Sequence, residues 1–190
     1  MRRYVARIFP RTPSAEEMRM RIDIYLGSQQ LLLSDDSGNE VAWFPVSSAA
    51  KGAGEQKNSF QTPRGAHCVR AKIGAGLPVD AVLVRRRPTG EIYSQELAAH
   101  FPGRDWILTR ILWLSGCEPG INRLGNVDTM QRYIYIHGTP DTEPMGVPAS
   151  HGCIRMRNSQ LIDLFEMTPV GTPVFVHSGN IFDENQPTLI

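Results

Sequence analysis

The chain has 190 residues, and its 20 Lys and Arg side chains nearly balance its 19 Asp and Glu side chains, for a formal net charge of +1 at pH 7. A chain of this length can bury the core of one globular domain without disulfides. Its net charge is near zero and its longest basic run is residues 85–87, which argues against a nucleic-acid partner. No apolar run approaches the ~20 residues of a membrane-spanning helix, so we expect no membrane partner.

The hydrophobic pattern predicts a mainly β domain, with a β-sandwich or barrel-like architecture and one or two helices. Alternating apolar and polar residues predict an early β-hairpin, in which Gly38 belongs to the turn. One later segment has apolar residues at helical spacing and is predicted to be a helix. In chain order, the predicted elements are strands 21–26, 30–34, 41–46, 69–73, 79–85, 106–113 and 131–137, helix Asn158–Met167 with Asn158 or Ser159 as its N-cap, and strand 174–177.

The chain is expected to divide into an arm at residues 1–20 with a short helix at 15–19, a catalytic domain at 21–180 and a tail at 181–190. The apolar core that a secretory signal needs is interrupted by Arg7, Pro10 and Arg11. Three cysteines without a CxxC pair suit a reducing compartment. These features favour a cytoplasmic location, with the periplasm as the alternative.

Two short motifs carry the candidate chemistry: His-Gly-Thr at 137–139 and Ser-His-Gly-Cys-Ile-Arg at 150–155. We expect His137 to project from the C-terminal end of a strand. Cys153 is expected just ahead of a helix, whose dipole would favour a thiolate. A thiol, a base and backbone N–H donors are what cysteine acyl transfer requires, so the motifs predict that chemistry.

In this hypothesis, Cys153 attacks a carbonyl group and His137 takes the thiol proton. The Gly138 carbonyl would hold the other imidazole N–H, and the amides of Gly152 and Cys153 would bind the oxyanion. Arg155 is a candidate clamp for a substrate carboxylate. Two further residues are candidates for the substrate pocket, Ser150 and Tyr135.

Two other interpretations of the same residues stay open. Cys153 could be a buried structural thiol. Alternatively, His137, His151 and Cys153 could bind zinc with a fourth ligand from Cys117 or His67, although their spacing matches no usual zinc pattern. Outside the motifs, His67 and His177 are expected to be structural or surface histidines, and residues 85–87 a solvated strand end.

The two motifs, followed by Asn158, resemble the signature of the L,D-transpeptidase catalytic domain, also called the YkuD domain. Thr-Pro-Arg-Gly at 62–65 is similar to the TPxG element of that family, and the resemblance covers about residues 21–177. It implies a β-sandwich-like fold in which Cys153 is the nucleophile and His137 the base. The positions expected to shape the site are His151, Gly152 and Arg155.

The resemblance also implies a substrate and an inhibitor class. The motif cysteine would cleave the bond between the L-centre of a diamino acid and a terminal D-alanine in a peptidoglycan tetrapeptide or muropeptide. The resulting thioester would be resolved by water or by an amine. Carbapenem-type inhibitors would be trapped by the same thiol, and we expect neither a cofactor nor a metal ion.

The chain departs from the family pattern in two ways. Only 12 residues separate His137 from Ser150, so the loop that faces the substrate is expected to differ from that of the family. A second departure is the lack of a recognisable export signal, which favours a cytoplasmic L,D-carboxypeptidase that trims recycled tetrapeptides. The alternatives are a periplasmic L,D-transpeptidase that forms cross-links and, in another class, a non-catalytic muropeptide-binding module.

Overall fold

The computed structural model describes residues 19–181, and within them the prediction of a mainly β fold with one or two helices is confirmed. Ten strands form one curled sheet that two helices accompany. Most of the predicted arm and tail, with the helix at 15–19, lies outside the described residues. The elements are β1 Met20–Tyr25, β2 Gln30–Asp35, β3 Glu40–Pro45, β4 Gly65–Ile73, β5 Ala81–Val84, β6 Arg87–Ile92, α1 Gln95–His100, β7 Ile107–Gly116, a 3₁₀ turn Gly125–Val127, β8 Tyr135–Thr139, β9 Ile154–Arg157, α2 Asn158–Met167 and β10 Pro173–His177.

The long strand β7 is the branch point of the sheet. Its path runs β3-β2-β1-β10-β4-β7-β5-β6, and β8 also pairs with β7 before pairing with β9. Most neighbours are antiparallel, but β1 with β10 and β8 with β9 are parallel. The parallel pair β8–β9 is the one that carries the two sequence motifs.

The main core lies between the sheet and α2. Leu161, Leu164 and Phe165 of α2 are buried against apolar residues of the strands, as their helical spacing predicts. The helix contacts β7, β8 and β9. By packing against one face of these strands, α2 stabilises the two that carry the motifs. Full burial of a side chain such as Leu contributes roughly 1.5–3 kcal/mol.

The first hairpin follows the sequence prediction. The Asp35 carboxylate accepts hydrogen bonds from the amides of Ser37 and Asn39, and Gly38 adopts a φ of +81° that the turn requires. The bounds of α2 are also those predicted. The predicted N-cap is wrong, however, because Arg157 occupies the cap position. The side-chain amide of Asn158 instead donates to Asp80 and to the Thr139 carbonyl.

The predicted strand 131–137 is wrong in its first half. Residues before β8 form turns instead, because the Asp128 carboxylate accepts hydrogen bonds from the amides of Leu124 and Gln131, and Tyr133 adopts a φ of +59°. Three elements were not predicted: β6, β9 and α1, which begins after Ser94 caps the Leu97 amide. Within residues 19–181, no helix is long and apolar enough to cross a membrane.

Candidate active site

The parallel pairing of β8 and β9 brings the two motifs together. His137 is the register partner of Arg155, and Cys153 lies two residues before Arg155. Because side chains alternate along a strand, His137 and Cys153 occupy diagonal positions on one face of the pair. His137 is buried in the middle of β8 and not at its end as predicted, because the strand continues to Thr139.

Two backbone groups hold the sulfur of Cys153. The Tyr135 amide donates to Sγ across 3.4 Å, and the thiol donates to the Tyr133 carbonyl at the same distance. Burial raises the pKa of the Cys153 thiol to about 12, although the Tyr135 amide and the charges of Arg155 and Arg132 lower it. The resting form at neutral pH is therefore the thiol.

The prediction that a helix dipole favours a Cys153 thiolate is wrong. The four residues of β9 separate Cys153 from α2, which begins only at Asn158. A helix macrodipole acts mainly within its first turn, so it does not reach the sulfur at this distance.

The His137 ring is oriented by its neighbour in the chain. Its Nδ1 lies 2.8 Å from the Gly138 carbonyl, which can only accept, so Nδ1 carries the proton and Nε2 the lone pair. This is the contact that the sequence predicted. Nε2 makes no hydrogen bond within residues 19–181. Burial lowers the pKa of His137, which keeps the ring neutral at pH 7.

Only glycine fits at position 138 without a steric clash. A Cβ atom built on it would lie 2.6 Å from the Leu108 carbonyl oxygen and would also meet the Asn158 side chain. Any side chain here would push β8 away from β7 and from the start of α2. The carbonyl that orients His137 therefore depends on a glycine.

A tight turn at 150–153 presents the cysteine. The Ser150 hydroxyl donates to the Cys153 carbonyl and accepts from the Gly152 amide at 3.2 Å, while the Thr62 hydroxyl donates to the Gly152 carbonyl. Gly152 has a φ of +131°, a conformation that a side chain would strain. Thr62, from the Thr-Pro-Arg-Gly segment, thus fixes the turn of the second motif.

This turn corrects two predicted roles. Ser150 is buried and supports the turn, so it does not face a substrate. The Gly152 amide is engaged with Ser150 and is not free to bind an oxyanion. The Cys153 amide has no hydrogen-bond partner among the described residues, which leaves it as the available backbone donor.

Arg155 is also engaged in this structure. Its Nη2 lies 2.7 Å from Asp105 and its Nη1 lies 2.8 Å from Glu143, and its side chain is only 7% exposed. Arg155 therefore cannot clamp a substrate carboxylate without losing one of these partners. It ties residue 143 of the short loop to β9.

Asp105 is the site residue that sequence reasoning missed. One carboxylate oxygen binds Arg155, and the other lies 3.3 Å from Nδ1 of His151. Burial raises the pKa of Asp105, but its interactions with His137, Arg155 and His151 outweigh that effect and hold the pKa below its ordinary value. Asp105 and His151 are 46 positions apart, and the sequence gives no signal for this contact.

His151 stands between two cavities and lines both. The larger has a volume of about 400 Å³ and the smaller about 220 Å³. The exposed His151 ring also packs edge-on against Phe60. The larger cavity is lined in part by Trp106, Asp105, Glu143 and Arg155, and the smaller by Lys57, Phe60, Arg132, Tyr133 and Ile134.

Tyr135, whose amide contacts the sulfur, also binds Arg86 through its side chain. Tyr135 is buried, and its hydroxyl accepts a hydrogen bond of 2.9 Å from Nη1 of Arg86. The Arg86 guanidinium lies over the rings of Trp113 and Tyr133, at 4.5 and 4.9 Å from their centroids. The expectation of a purely solvated strand end at 85–87 is therefore wrong for Arg86.

The remaining histidine and cysteine candidates lie elsewhere. His67 is buried in β4, where its ring contacts the Gly65 carbonyl and the Thr129 hydroxyl, so it is structural as predicted. Cys68 and Cys117 are free thiols. Between residues 19 and 181, no three His, Cys, Asp or Glu side chains are arranged to hold a metal ion.

Comparison with known proteins places these features in a family. The sequence profile of the L,D-transpeptidase catalytic domain, YkuD, matches residues 19–176, so the chain belongs to that family. YqjB of Bacillus subtilis, whose name assigns it to the L,D-transpeptidases, is 47% identical over 45 residues, which are 24% of this chain and 26% of YqjB.

Solved structures share the fold. L,D-transpeptidase 3 of Mycobacterium tuberculosis, in complex with a faropenem-derived adduct, aligns with a TM-score of 0.52 and 16% identity over 85% of this chain and 61% of that chain. The L,D-transpeptidase LdtMt1 in complex with imipenem aligns with a TM-score of 0.50 and 17% identity over 84% and 59%. The chain thus spans only about three fifths of these proteins and a quarter of YqjB.

Proposed function

We propose that this protein is a cysteine-dependent acyl-transfer enzyme that acts on the peptide stems of peptidoglycan. The bond cleaved joins the L-centre of a diamino acid to a terminal D-alanine. The observation that carries the proposal is the β8–β9 pairing, which sets His137 and Cys153 on one face within the segment that the family profile matches. Cysteine acyl transfer needs these two groups side by side.

In the first half-reaction, Sγ of Cys153 attacks the carbonyl carbon while Nε2 of His137 takes the thiol proton. A neutral imidazole with its lone pair on Nε2 suits this step, because the thiol has a raised pKa and must lose its proton as it attacks. The Cys153 amide would donate to the oxyanion, an interaction typically worth 10²–10³ in rate.

The tetrahedral intermediate then collapses. The carbonyl re-forms, the C–N bond breaks, and the imidazolium of His137 returns its proton to the departing nitrogen, so that D-alanine leaves as an amine. The acyl group remains on Sγ as a thioester. His151, between the two cavities, would line the groove that holds the peptide.

We further propose that water resolves the thioester, which makes the protein an L,D-carboxypeptidase that trims free tetrapeptides in the cytoplasm. Three free thiols support a reducing compartment, since an oxidising one would put them at risk. The alternative is amine attack in the periplasm, which gives a cross-link. The placement of His137 and the free Cys153 thiol on one face of the β8–β9 pair argues against a non-catalytic binding module.

The test is incubation of the purified full chain with a disaccharide-free tetrapeptide, followed by mass spectrometry. We expect D-alanine and the tripeptide. A cross-linked dimer as the main product would favour the transpeptidase alternative. Binding without release of D-alanine would favour the binding module.

A further inference from the structure

Arg86 occupies a position that the backbone holds under strain. Val84 pairs with Arg87, so Arg85 and Arg86 alone form the turn of the β5–β6 hairpin. Their φ angles are +49° and +66°, in the left-handed region that such turns require and that Gly and Asn usually supply. Arginines held in this conformation suggest that a side chain is needed here for function.

The aromatic platform under Arg86 fixes its guanidinium. Trp113 and Tyr133 lie at cation–π distance, and the Tyr135 hydroxyl accepts from Nη1. Arg86 forms no ion pair with a carboxylate of residues 19–181. Its Nε and Nη2 also make no hydrogen bond within that range, which leaves donors free for an outside acceptor.

The same tyrosines connect Arg86 to the nucleophile. The Tyr133 carbonyl and the Tyr135 amide contact Sγ of Cys153, while the side chains of these two residues contact Arg86. The two tyrosines that contact Arg86 through their side chains are therefore the residues whose backbone holds the sulfur. Tyr133 also lines the 220 Å³ cavity next to His151.

We propose that Arg86 is a specificity-determining residue that binds a carboxylate of the donor peptide. The inference rests on the proposed function for the substrate class, and on Arg86 itself for the recognition. A guanidinium with donors still free suits a carboxylate better than an ammonium would. Two carboxylates are within the chemistry of the substrate: that of the terminal D-alanine and one on the side chain of the diamino acid.

The test compares three donor tetrapeptides: one with diaminopimelic acid at the third position, one with lysine there, and one with diaminopimelic acid but a terminal D-alaninamide. Release of the terminal residue is measured for the unchanged protein, Arg86→Ala and Arg85→Ala. Arg85 is the matched control, because it is exposed and shares the turn conformation but has no aromatic platform.

We expect Arg86→Ala to lower kcat/KM for the first donor by about 10- to 100-fold, mainly through KM, because a hydrogen-bonded charge is lost. Arg85→Ala should change it less than threefold. The loss should shrink with the lysine donor if the side-chain carboxylate is bound, and with the D-alaninamide donor if the terminal carboxylate is bound. The proposal is equally supported if removal of one carboxylate from the donor lowers kcat/KM of the unchanged protein to the value of Arg86→Ala.

An equal loss with all three donors would overturn the proposal, because Arg86 would then act only through the shape of the site. The absence of any loss in Arg86→Ala would overturn it too. Failure of the proposed function has a separate signature: the unchanged protein would release nothing from any donor, whereas it would react normally if only the role of Arg86 were wrong.

Discussion

The Tyr135 amide points at Sγ of Cys153 across 3.4 Å, so the backbone of one motif strand holds the sulfur of the other motif. Tyr135 lies two residues before His137 on β8, and this strand therefore fixes the relation between the candidate base and the candidate nucleophile. The geometry depends on strand pairing and not on a helix end.

Replacement of Cys153 by Ala should lower D-alanine release at least about a thousandfold, because the covalent route disappears. Peptide binding, measured by calorimetry, should remain. Cys117→Ala is the matched control, since Cys117 is an exposed free thiol, and it should leave the rate unchanged. Near-normal release by Cys153→Ala would contradict the assignment.

Replacement of His137 by Ala should lower the rate by roughly 10²–10⁴, the range of a positioned acid–base group. In the unchanged protein, the acidic limb of the pH–rate profile should have its midpoint below pH 6.5, because burial lowers the pKa of His137 from that ordinary value. Activity is then present above the lowered pKa and lost as the pH falls through it. A midpoint above pH 6.5 would argue for another base.

Replacement of Asp105 by Asn should move that acidic limb to lower pH. The negative charge of Asp105 raises the pKa of His137, so its removal lowers that pKa further. Glu143→Gln provides the control, because Glu143 also binds Arg155. Its limb should stay in place. A limb that stays in place or moves to higher pH in Asp105→Asn would contradict this effect of the charge on His137.

A carbapenem should acylate Cys153 and add its mass to the intact protein, because the thioester-forming thiol would open the β-lactam ring. Peptide mapping should place the label at Cys153, and Cys153→Ala should remain unlabelled. A label on Cys68 or Cys117 would show that thiol content, and not position in the site, determines the reaction.

Stability should depend on pH through His67, whose pKa burial lowers from 6.5 to about 4. The unfolded chain binds a proton between these values and the folded chain does not, so the stabilisation is complete above pH 6.5 and lost as the pH falls towards 4. The resulting loss in the free energy of unfolding amounts to about 3 kcal/mol. Denaturant midpoints should fall less steeply with acid in His67→Gln than in the control His100→Gln, which alters an exposed histidine. Equal slopes would contradict the prediction.

The sequence by itself determined much about this protein. Helical spacing of apolar residues predicts α2 with its bounds, and alternation predicts the first hairpin. The two motifs around His137 and Cys153 identify the family, and the contact between Nδ1 and the Gly138 carbonyl follows from adjacency in the chain. These features are local, and local patterns can be read from a sequence.

Tertiary structure decided the rest, because the contacts join residues far apart in the chain. Asp105 reaches Arg155 across 50 positions, Thr62 reaches Gly152 across 90, and Arg86 reaches Tyr135 across 49. The four residues between Cys153 and α2 become strand only because β8 is there to pair with them. That pairing places a histidine, and not a helix N-terminus, on the same face as the thiol.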